Sequence, residues 1–184
     1  MLAFQKGDKA SFETLMKRYY PRVLNFIYRF TGSRETSEEL TQDVFIRIHK
    51  SALLYRPQAR FQTWLFQIAK NASLNELRKN KKNVVSLDKN FDTEENSLKR
   101  QIADAHSPSP DQDVLDQETQ DLIETAMRSL PENQRMAVIL RRYEDFSYEE
   151  IAHTMQCSVQ AVKSLLSRAR EKLKEQLSGH FKAT

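Results

Sequence analysis

The sequence predicts an all-α protein made of two small helical domains that a flexible acidic linker joins. The chain of 184 residues has only 3 Gly and 5 Pro and is rich in Leu, Glu, Lys, Arg and Gln, a composition that favours helix. Apolar residues recur at steps of three and four positions, which is the period of an amphipathic helix. At residues 83–113 this pattern gives way to a polar, acidic stretch that contains Pro108 and Pro110, a composition typical of linkers.

The composition also excludes several classes of protein. The single Cys rules out an internal disulfide, and no apolar run approaches the roughly 20 residues that cross a bilayer. The N-terminus lacks the apolar core of a secretory signal, and no Gly-rich phosphate-binding string occurs. We therefore expect a cytoplasmic protein that does not insert into membranes.

The modest net charge of +4 conceals three blocks of different sign. Residues 1–90 hold 17 basic and 8 acidic side chains, and residues 126–184 hold 10 and 7. Residues 91–125 hold 2 basic against 10 acidic side chains. Two basic blocks that flank an acidic one indicate a polyanionic partner such as nucleic acid, although charge alone is more often explained by solvated helix faces.

The first two predicted helices have clear starts and stops. Asp8 is a suitable N-cap, Pro21 is a candidate kink, and Gly32 is suited to a left-handed C-cap. Between these signals the apolar positions are Phe12, Leu15, Tyr19, Val23, Phe26, Ile27 and Phe30. Ser33 or Ser37 then caps a second helix, whose buried stripe is Leu40, Val44 and Ile48.

A third helix, over residues 61–78, combines aromatic and cationic side chains. Its predicted buried side is Leu65, Ile68, Ala69, Ala72 and Leu77. Aromatic rings interleaved with cations are typical of single-strand binding, because bases stack on the rings while cations follow the phosphates. The alternative is that Phe61, Trp64 and Phe66 are simply core residues, since aromatics at helical spacing usually pack inside.

The C-terminal domain, at residues 114–177, has the pattern of a helix-turn-helix. One helix stops before Pro131 and another follows it, and Ser147 with Glu150 then forms a capping box for a short helix. After a turn at residues 156–158, Ser158 caps a last helix whose apolar stripe is Val162, Leu165, Leu166, Ala169 and Leu173. Its polar, basic outer face suits the major groove, whereas a plain helical hairpin with a charged face remains the alternative.

No catalytic or metal-binding constellation is present. His153 and Cys157 are four positions apart, but two ligands do not make a structural zinc site. No nucleophilic triad occurs, and the adjacent pairs Glu38-Glu39 and Glu149-Glu150 point away from each other on a helix. We expect no metal, no cofactor and no enzymatic activity.

Six strings, in this order, resemble the ECF (extracytoplasmic function) group of bacterial RNA polymerase sigma factors. They are GDKASF with the following Tyr19-Tyr20, ELTQDVF at 39–45, FQTWLFQIAKN at 61–71, LPENQR at 130–135, FSYEEIA at 146–152, and AVKS to RAREKL at 161–173. Residues 5–82 are similar to sigma region 2, and residues 114–177 to the helix-turn-helix of region 4. The resemblance implies a non-catalytic subunit that binds core RNA polymerase and directs promoter-specific transcription initiation. It would read the −35 element as duplex, and it would melt and capture the −10 element.

The same resemblance implies three groups of contact residues. The residues that dock on the polymerase are Gln42, Asp43 and Phe45. Those that hold the −10 element are Tyr55, Arg56, Arg60, Phe61, Trp64, Lys70, Asn71, Arg78 and Lys79. Those that read the −35 element are Gln160, Lys163, Ser164, Ser167 and Arg168.

The sequence departs from the family pattern in its last two helices. Gln160-Ala161 stand where Gly-Thr is usual, Leu165 replaces an Arg, and the usual glycine near Asp145-Phe146 is missing. These changes concern −35 preference rather than the fold. A stand-alone helix-turn-helix regulator is the main alternative, although it leaves the residues at 42–45 and the basic-aromatic helix without a function. Sequestration by an anti-sigma partner is compatible with the first interpretation.

Overall fold

The described part of the chain is entirely helical, which confirms the predicted fold class. A computed structural model describes the backbone of residues 1–57, 59–87 and 110–181, and the side chains of residues 1–57, 59–80 and 119–178. Within these ranges it contains eight α-helices and one short 3-10 helix. Most of the predicted linker, residues 88–109, lies outside the described residues.

An N-terminal bundle is formed by four helices. They are α1 (Leu2–Gln5), α2 (Lys9–Thr31), α3 (Arg34–Lys50) and α4 (Phe61–Leu87), with the 3-10 helix Ala52–Leu54 before α4. The predicted caps are confirmed: the Asp8 and Ser33 side chains accept from the backbone of the first turns of α2 and α3, and Gly32 ends α2 at φ 76°. The sequence pattern missed the short α1 and placed the end of α4 too early.

A C-terminal bundle is formed by the other four helices. They are α5 (Pro110–Arg128), α6 (Glu132–Arg142), α7 (Tyr148–Met155) and α8 (Val159–Phe181). The Ser147–Glu150 capping box is complete, with its two hydrogen bonds at 3.2 and 2.9 Å. The Ser158 hydroxyl caps α8 by accepting from the backbone N–H of Ala161 at 3.1 Å. The helix-turn-helix prediction for α7 and α8 therefore has its expected local geometry.

Two residues that flank α7 adopt the left-handed conformation that glycine favours, and one of them lies where the usual glycine near Asp145-Phe146 is missing. Asp145 has φ 55°, and Gln156 has φ 57° and ψ 47° at the C-cap of α7. This conformation costs a side-chain-bearing residue roughly 1 kcal/mol, because its Cβ approaches the carbonyl oxygen. The chain thus makes the turns that glycine usually makes, but with local strain.

Gln156→Gly is expected to raise the free energy of unfolding by roughly 0.5–1 kcal/mol, because glycine adopts a positive φ without that penalty. Gln156 is exposed, so little packing is lost. Urea denaturation with equal slopes would measure the gain. Gln160→Gly, on an exposed position inside α8, is the control and should destabilise the chain by roughly 1 kcal/mol. Equal effects of the two changes would exclude strain at Gln156.

The two bundles pack against each other along α2 and α4. One continuous cluster of buried apolar side chains extends from Val23 and Phe26 in α2 to Ile151 in α7 and Val162 in α8. Phe146, just before α7, packs edge-on against Phe66 of α4 with ring centroids 5.4 Å apart. No helix in the described part of the chain is long and apolar enough to span a bilayer.

Candidate nucleic-acid interface

An aromatic cluster lies at the start of α4. The rings of Tyr55 and Trp64 have centroids 4.9 Å apart, Phe61 lies 5.8 Å from Trp64, and Tyr19 of α2 lies 5.4 Å from Phe61. Trp64, Phe61 and Tyr19 are half-buried, whereas Tyr55 is only 7% exposed. Burial raises the pKa of the Tyr55 phenol. The cluster is therefore a packed platform that leaves ring surface accessible, an arrangement suited to base stacking.

The alternative of a core role is realised for one of the three aromatics on α4. Phe66 is fully buried, between Phe26 of α2 at 5.0 Å and Phe146 of the C-terminal bundle. Phe61 and Trp64 each pack on the core but keep part of their surface open, so their geometry is compatible with both interpretations.

Gln5 is a positioning residue that the sequence pattern did not identify. Its side-chain amide donates to the carbonyl oxygens of Ala52 and Tyr55, at 2.6 and 2.9 Å. The two bonds join α1 to the segment that enters α4, and so hold Tyr55 beside Trp64. A single glutamine in a four-residue helix has no periodicity that would reveal this contact.

The predicted −10 cations differ in exposure. Arg56, Arg60, Arg78 and Lys79 are exposed, as is Asn71. The Arg56 guanidinium donates to the carbonyls of Leu53 and Tyr55, and Arg60 Nη1 lies 3.1 Å from Glu150 Oε1 of α7. Lys70, in contrast, is only 5% exposed.

The predicted polymerase-docking residues divide in the same way. Gln42 and Asp43 are exposed on α3. Phe45 is 3% exposed and stacks on Tyr20 of α2, with ring centroids 5.8 Å apart. Phe45 therefore packs α3 against α2. The exposed surface of residues 42–45 is formed by Gln42 and Asp43.

The predicted −35 residues form an open face on α8. Gln160, Lys163, Ser167 and Arg168 are exposed and Ser164 is half-buried. On the other side of the same helix, Val162 and Ala169 are fully buried. The face is polar and carries positive charge, which suits contact with base edges and phosphates.

Two ionisable groups at the boundary between the bundles are strongly affected by burial. Glu144, in the loop before α7, is buried at 5% side-chain exposure, and its Oε2 accepts from Arg22 Nη2 and Nε at 2.8 and 3.1 Å. Burial nevertheless raises the pKa of Glu144 to about 7, because the lost hydration outweighs the attraction of Arg22 and Arg29. Burial likewise lowers the pKa of the Lys70 ammonium.

Comparison with known proteins identifies two family matches. Residues 15–83 match the family model described as Sigma-70 region 2, and residues 120–173 match Sigma-70, region 4. The chain is 33% identical to the RNA polymerase sigma-H factor of Pseudomonas aeruginosa over 178 residues, covering 94% of this chain and 89% of that protein. It is 34% identical to the ECF RNA polymerase sigma-E factor of Escherichia coli K12 over 167 residues, or 91% and 86% of the two chains.

Solved structures share the arrangement of helices. The sigma factor RpoE in complex with the anti-sigma factor NepR, from Bartonella quintana, has a TM-score of 0.73 and 26% identity, with 91% of this chain and 97% of that one covered. CnrH, in complex with the cytosolic domain of CnrY, has a TM-score of 0.69 at 19% identity, covering 95% and 92%.

Proposed function

The chain belongs to the ECF group of RNA polymerase sigma factors. On that basis we propose which of its surfaces bind the polymerase and which bind the two promoter elements. The chain binds core RNA polymerase and directs promoter-specific transcription initiation. The observation that carries the residue assignments is the aromatic platform of Tyr55, Phe61 and Trp64, because it lies beside exposed cations at the start of α4.

The platform captures the unpaired −10 bases. Bases stack on the open ring surfaces of Trp64 and Phe61, and each stacked base contributes roughly 1–3 kcal/mol. That is comparable to the few kcal/mol that unstacking and unpairing a base costs. Asn71 is exposed on α4 and available to an extruded base. Arg56, Arg60, Arg78 and Lys79 bind phosphates, and Lys70 joins them when it is uncovered.

The outer face of α8 reads the −35 duplex. Gln160, Lys163, Ser164, Ser167 and Arg168 follow one another along the accessible side of the helix. Good bidentate contacts to bases each provide roughly 1–3 kcal/mol of discrimination. The replacement of Gly-Thr by Gln160-Ala161 adds an amide at the start of this face, which changes the contacts available for base readout.

Polymerase docking uses the exposed side of α3. Gln42 and Asp43 contact the polymerase directly, while the buried Phe45 supports them from below. The functional domains span residues 5–82 and 114–177, with an acidic linker between them. Its negative charge disfavours contact with DNA phosphates.

The protein acts without catalytic chemistry of its own, in the cytoplasm where its polymerase is found. Control by an anti-sigma factor is part of the proposal, since the structurally similar RpoE is bound by NepR. A stand-alone regulator is not favoured, because the similarity extends over both bundles and includes the helix that carries Gln42 and Asp43.

The function is tested by run-off transcription with purified core polymerase and a fragmented genomic template. We expect discrete initiation sites that appear only when the protein is added. A template-wide absence of such sites, together with failure to co-purify with core polymerase, would reject the assignment.

Trp64→Ala is expected to reduce open-complex formation by roughly 10-fold or more, because it removes a stacking surface worth roughly 1–3 kcal/mol per base. Permanganate footprinting of unpaired thymines measures the change, and polymerase affinity should be unaltered. Phe12→Ala, another half-buried aromatic but one that contacts Phe4 and His49 instead, is the control. If Trp64→Ala reduced polymerase binding and promoter melting equally, Trp64 would only stabilise the hydrophobic core of this protein.

Arg168→Ala is expected to weaken binding of the holoenzyme to its −35 element by about 1–3 kcal/mol, because one base or phosphate contact is lost. Competition between matched and scrambled −35 duplexes measures it. Arg34→Ala removes the same charge from the exposed start of α3 and should leave the competition unchanged. If Arg168→Ala left the preference for the matched over the scrambled duplex unaltered, Arg168 would not contact the −35 element.

A further inference from the structure

One leucine of α8 lies outside the hydrophobic core. The apolar stripe that the sequence predicts for this helix includes Leu165, but the structure separates this residue from the rest of the stripe. Val162 and Ala169 are fully buried, and Leu166 and Leu173 pack on the core cluster. Leu165 is half-buried and, among the described residues, is not one of the side chains that pack on that cluster. It therefore presents apolar surface that the fold leaves partly open.

The open part of Leu165 lies at the edge of the −35 face. Residues three and four positions apart are neighbours on a helix surface, so Leu165 has Ala161 on one side and the exposed Arg168 on the other. Ala161 is also half-buried and outside the core cluster. We call Ala161 and Leu165 the apolar edge. It lies near the start of α8, which begins at Val159, and this is the end of a recognition helix that contacts bases.

The charges around the apolar edge indicate which partner it meets. Between residues 159 and 170 the charged side chains are Lys163, Arg168 and Arg170, all of them exposed, and no acidic residue occurs in this stretch. A surface of this kind attracts a polyanion. Duplex DNA is therefore a better occupant for the apolar edge than a protein surface, whose contacts would have to match three cations around two small apolar side chains.

The major groove of DNA offers one apolar group to such a surface, the C5-methyl group of thymine. The other groups that distinguish the bases there are hydrogen-bond donors and acceptors. A leucine cannot bond to them, whereas its contact with a methyl group removes apolar area of both partners from water. Burial of one methyl-sized group is worth about a 4-fold change in affinity. An arginine, in contrast, reads the two acceptors of guanine, so a leucine at position 165 favours a different base.

We propose that Leu165, with Ala161 beside it, contacts the C5-methyl group of a thymine in the −35 element, and that this contact sets part of the promoter preference of the chain. The inference rests on the proposed role of α8 in reading the −35 duplex. Arg168, one turn further along the helix, contacts the adjoining base pair or its phosphate. The apolar edge thus selects an A·T pair through a group that takes no part in base pairing.

The contact is tested by removing only the methyl group from the DNA. The holoenzyme, formed from the full chain and core polymerase, is bound to the promoter that gives the strongest run-off signal. Each thymine of its −35 region, on either strand, is replaced singly by deoxyuridine. We expect one or two of these replacements to weaken binding about 3- to 5-fold, and the others to have no effect. A −35 element made only of G·C pairs, or equal binding of every deoxyuridine duplex and the parent duplex, overturns the inference.

Variants of the chain assign the methyl contact to Leu165. Leu165→Ala should bind the thymine and deoxyuridine duplexes equally, whereas Leu165→Met keeps a long apolar side chain and should retain the difference. Leu177→Ala is the control, because it shortens another half-buried leucine of α8 roughly 18 Å further along the helix, and it should retain the full difference. If Leu165→Ala weakens binding to both duplexes but keeps their ratio, Leu165 contacts another group and the inference is wrong.

Failure of the proposed function would give a different result. If α8 does not read the −35 element, matched and scrambled duplexes bind equally, and Arg168→Ala has no more effect than the deoxyuridine replacements. Failure of the inference alone leaves the Arg168→Ala effect in place and removes only the methyl effect. Each measurement compares two duplexes on the same protein, so a partial loss of folded protein in one variant does not alter the outcome.

Discussion

Phe146→Ala is expected to lower the free energy of unfolding by about 3–5 kcal/mol, which is the usual cost of deleting a buried phenyl ring. The ring is 1% exposed and packs edge-on against Phe66, which itself packs on Phe26. Its removal leaves a cavity where the cores of the two bundles meet. Domains of this size are stable by only about 5–15 kcal/mol, so the loss is a large part of the total.

The same substitution should also change the form of the unfolding transition. The parent chain should unfold in one transition, because its buried cluster is continuous across both bundles. Phe146→Ala should divide it into two, visible as a difference between tryptophan fluorescence, which reports Trp64 alone, and far-ultraviolet circular dichroism. Phe4→Ala removes a half-buried ring from α1, far along the chain from this boundary. It should still unfold in a single transition, with a smaller loss in the free energy of unfolding. Coincident transitions in Phe146→Ala would contradict the coupling.

Stability should fall as the pH rises through neutrality, because of Glu144. Burial raises the pKa of this carboxyl to about 7 in the folded chain, against 4.5 for an exposed glutamate. The folded form therefore holds a proton that the unfolded form has released, and stability from this group is complete below pH 4.5 and lost as the pH rises through 7. Between about pH 5.5 and pH 8.5 the loss is roughly 2 kcal/mol.

Urea titrations of the parent chain and of Glu144→Gln over that pH range measure this contribution. The amide imitates the protonated acid and does not titrate, so the difference between the two chains should disappear at low pH and grow with rising pH. Glu149→Gln alters an exposed neighbour whose pKa is lowered by hydrogen bonds to its own backbone N–H and to Ser147. It should leave the pH slope unchanged. A slope in Glu144→Gln equal to that of the parent would assign the effect to other groups, and would show that the Arg22 ion pair offsets burial.

Helix positions were predictable where a local signal marks them. Asp8 and Ser33 as N-caps, Gly32 as a C-cap, and the Ser147–Glu150 capping box all lie where the sequence placed them. Each involves residues within four positions of one another, so no knowledge of the tertiary fold is needed. The extent of α4 and α8 and the existence of α1 had no such signal, since polar residues without a cap or a breaker do not mark an end.

Exposure within the candidate site was only partly predictable. The accessible faces of α8 and α3 follow from the helical period, and there Gln160, Lys163, Gln42 and Asp43 are exposed as expected. Phe45 and Lys70 lie in two of the family-like strings and Tyr55 lies in the segment before α4, but all three are buried. The similarity of a string indicates where a function resides, whereas the role of each side chain depends on what packs over it.

The sequence by itself determined most of the helices, their division into two groups, the open polar face of α8 and the resemblance to the family, because these depend on short-range periodicity and on the order of strings along the chain. Only the tertiary structure decided that α7 lies on α4, that Glu144 is buried against Arg22, and that Lys70 is covered. Arg22 and Glu144 are 122 positions apart, and no local pattern connects them. Their contact is set by which apolar surfaces the two bundles bury together, and that choice depends on the shape of the whole molecule.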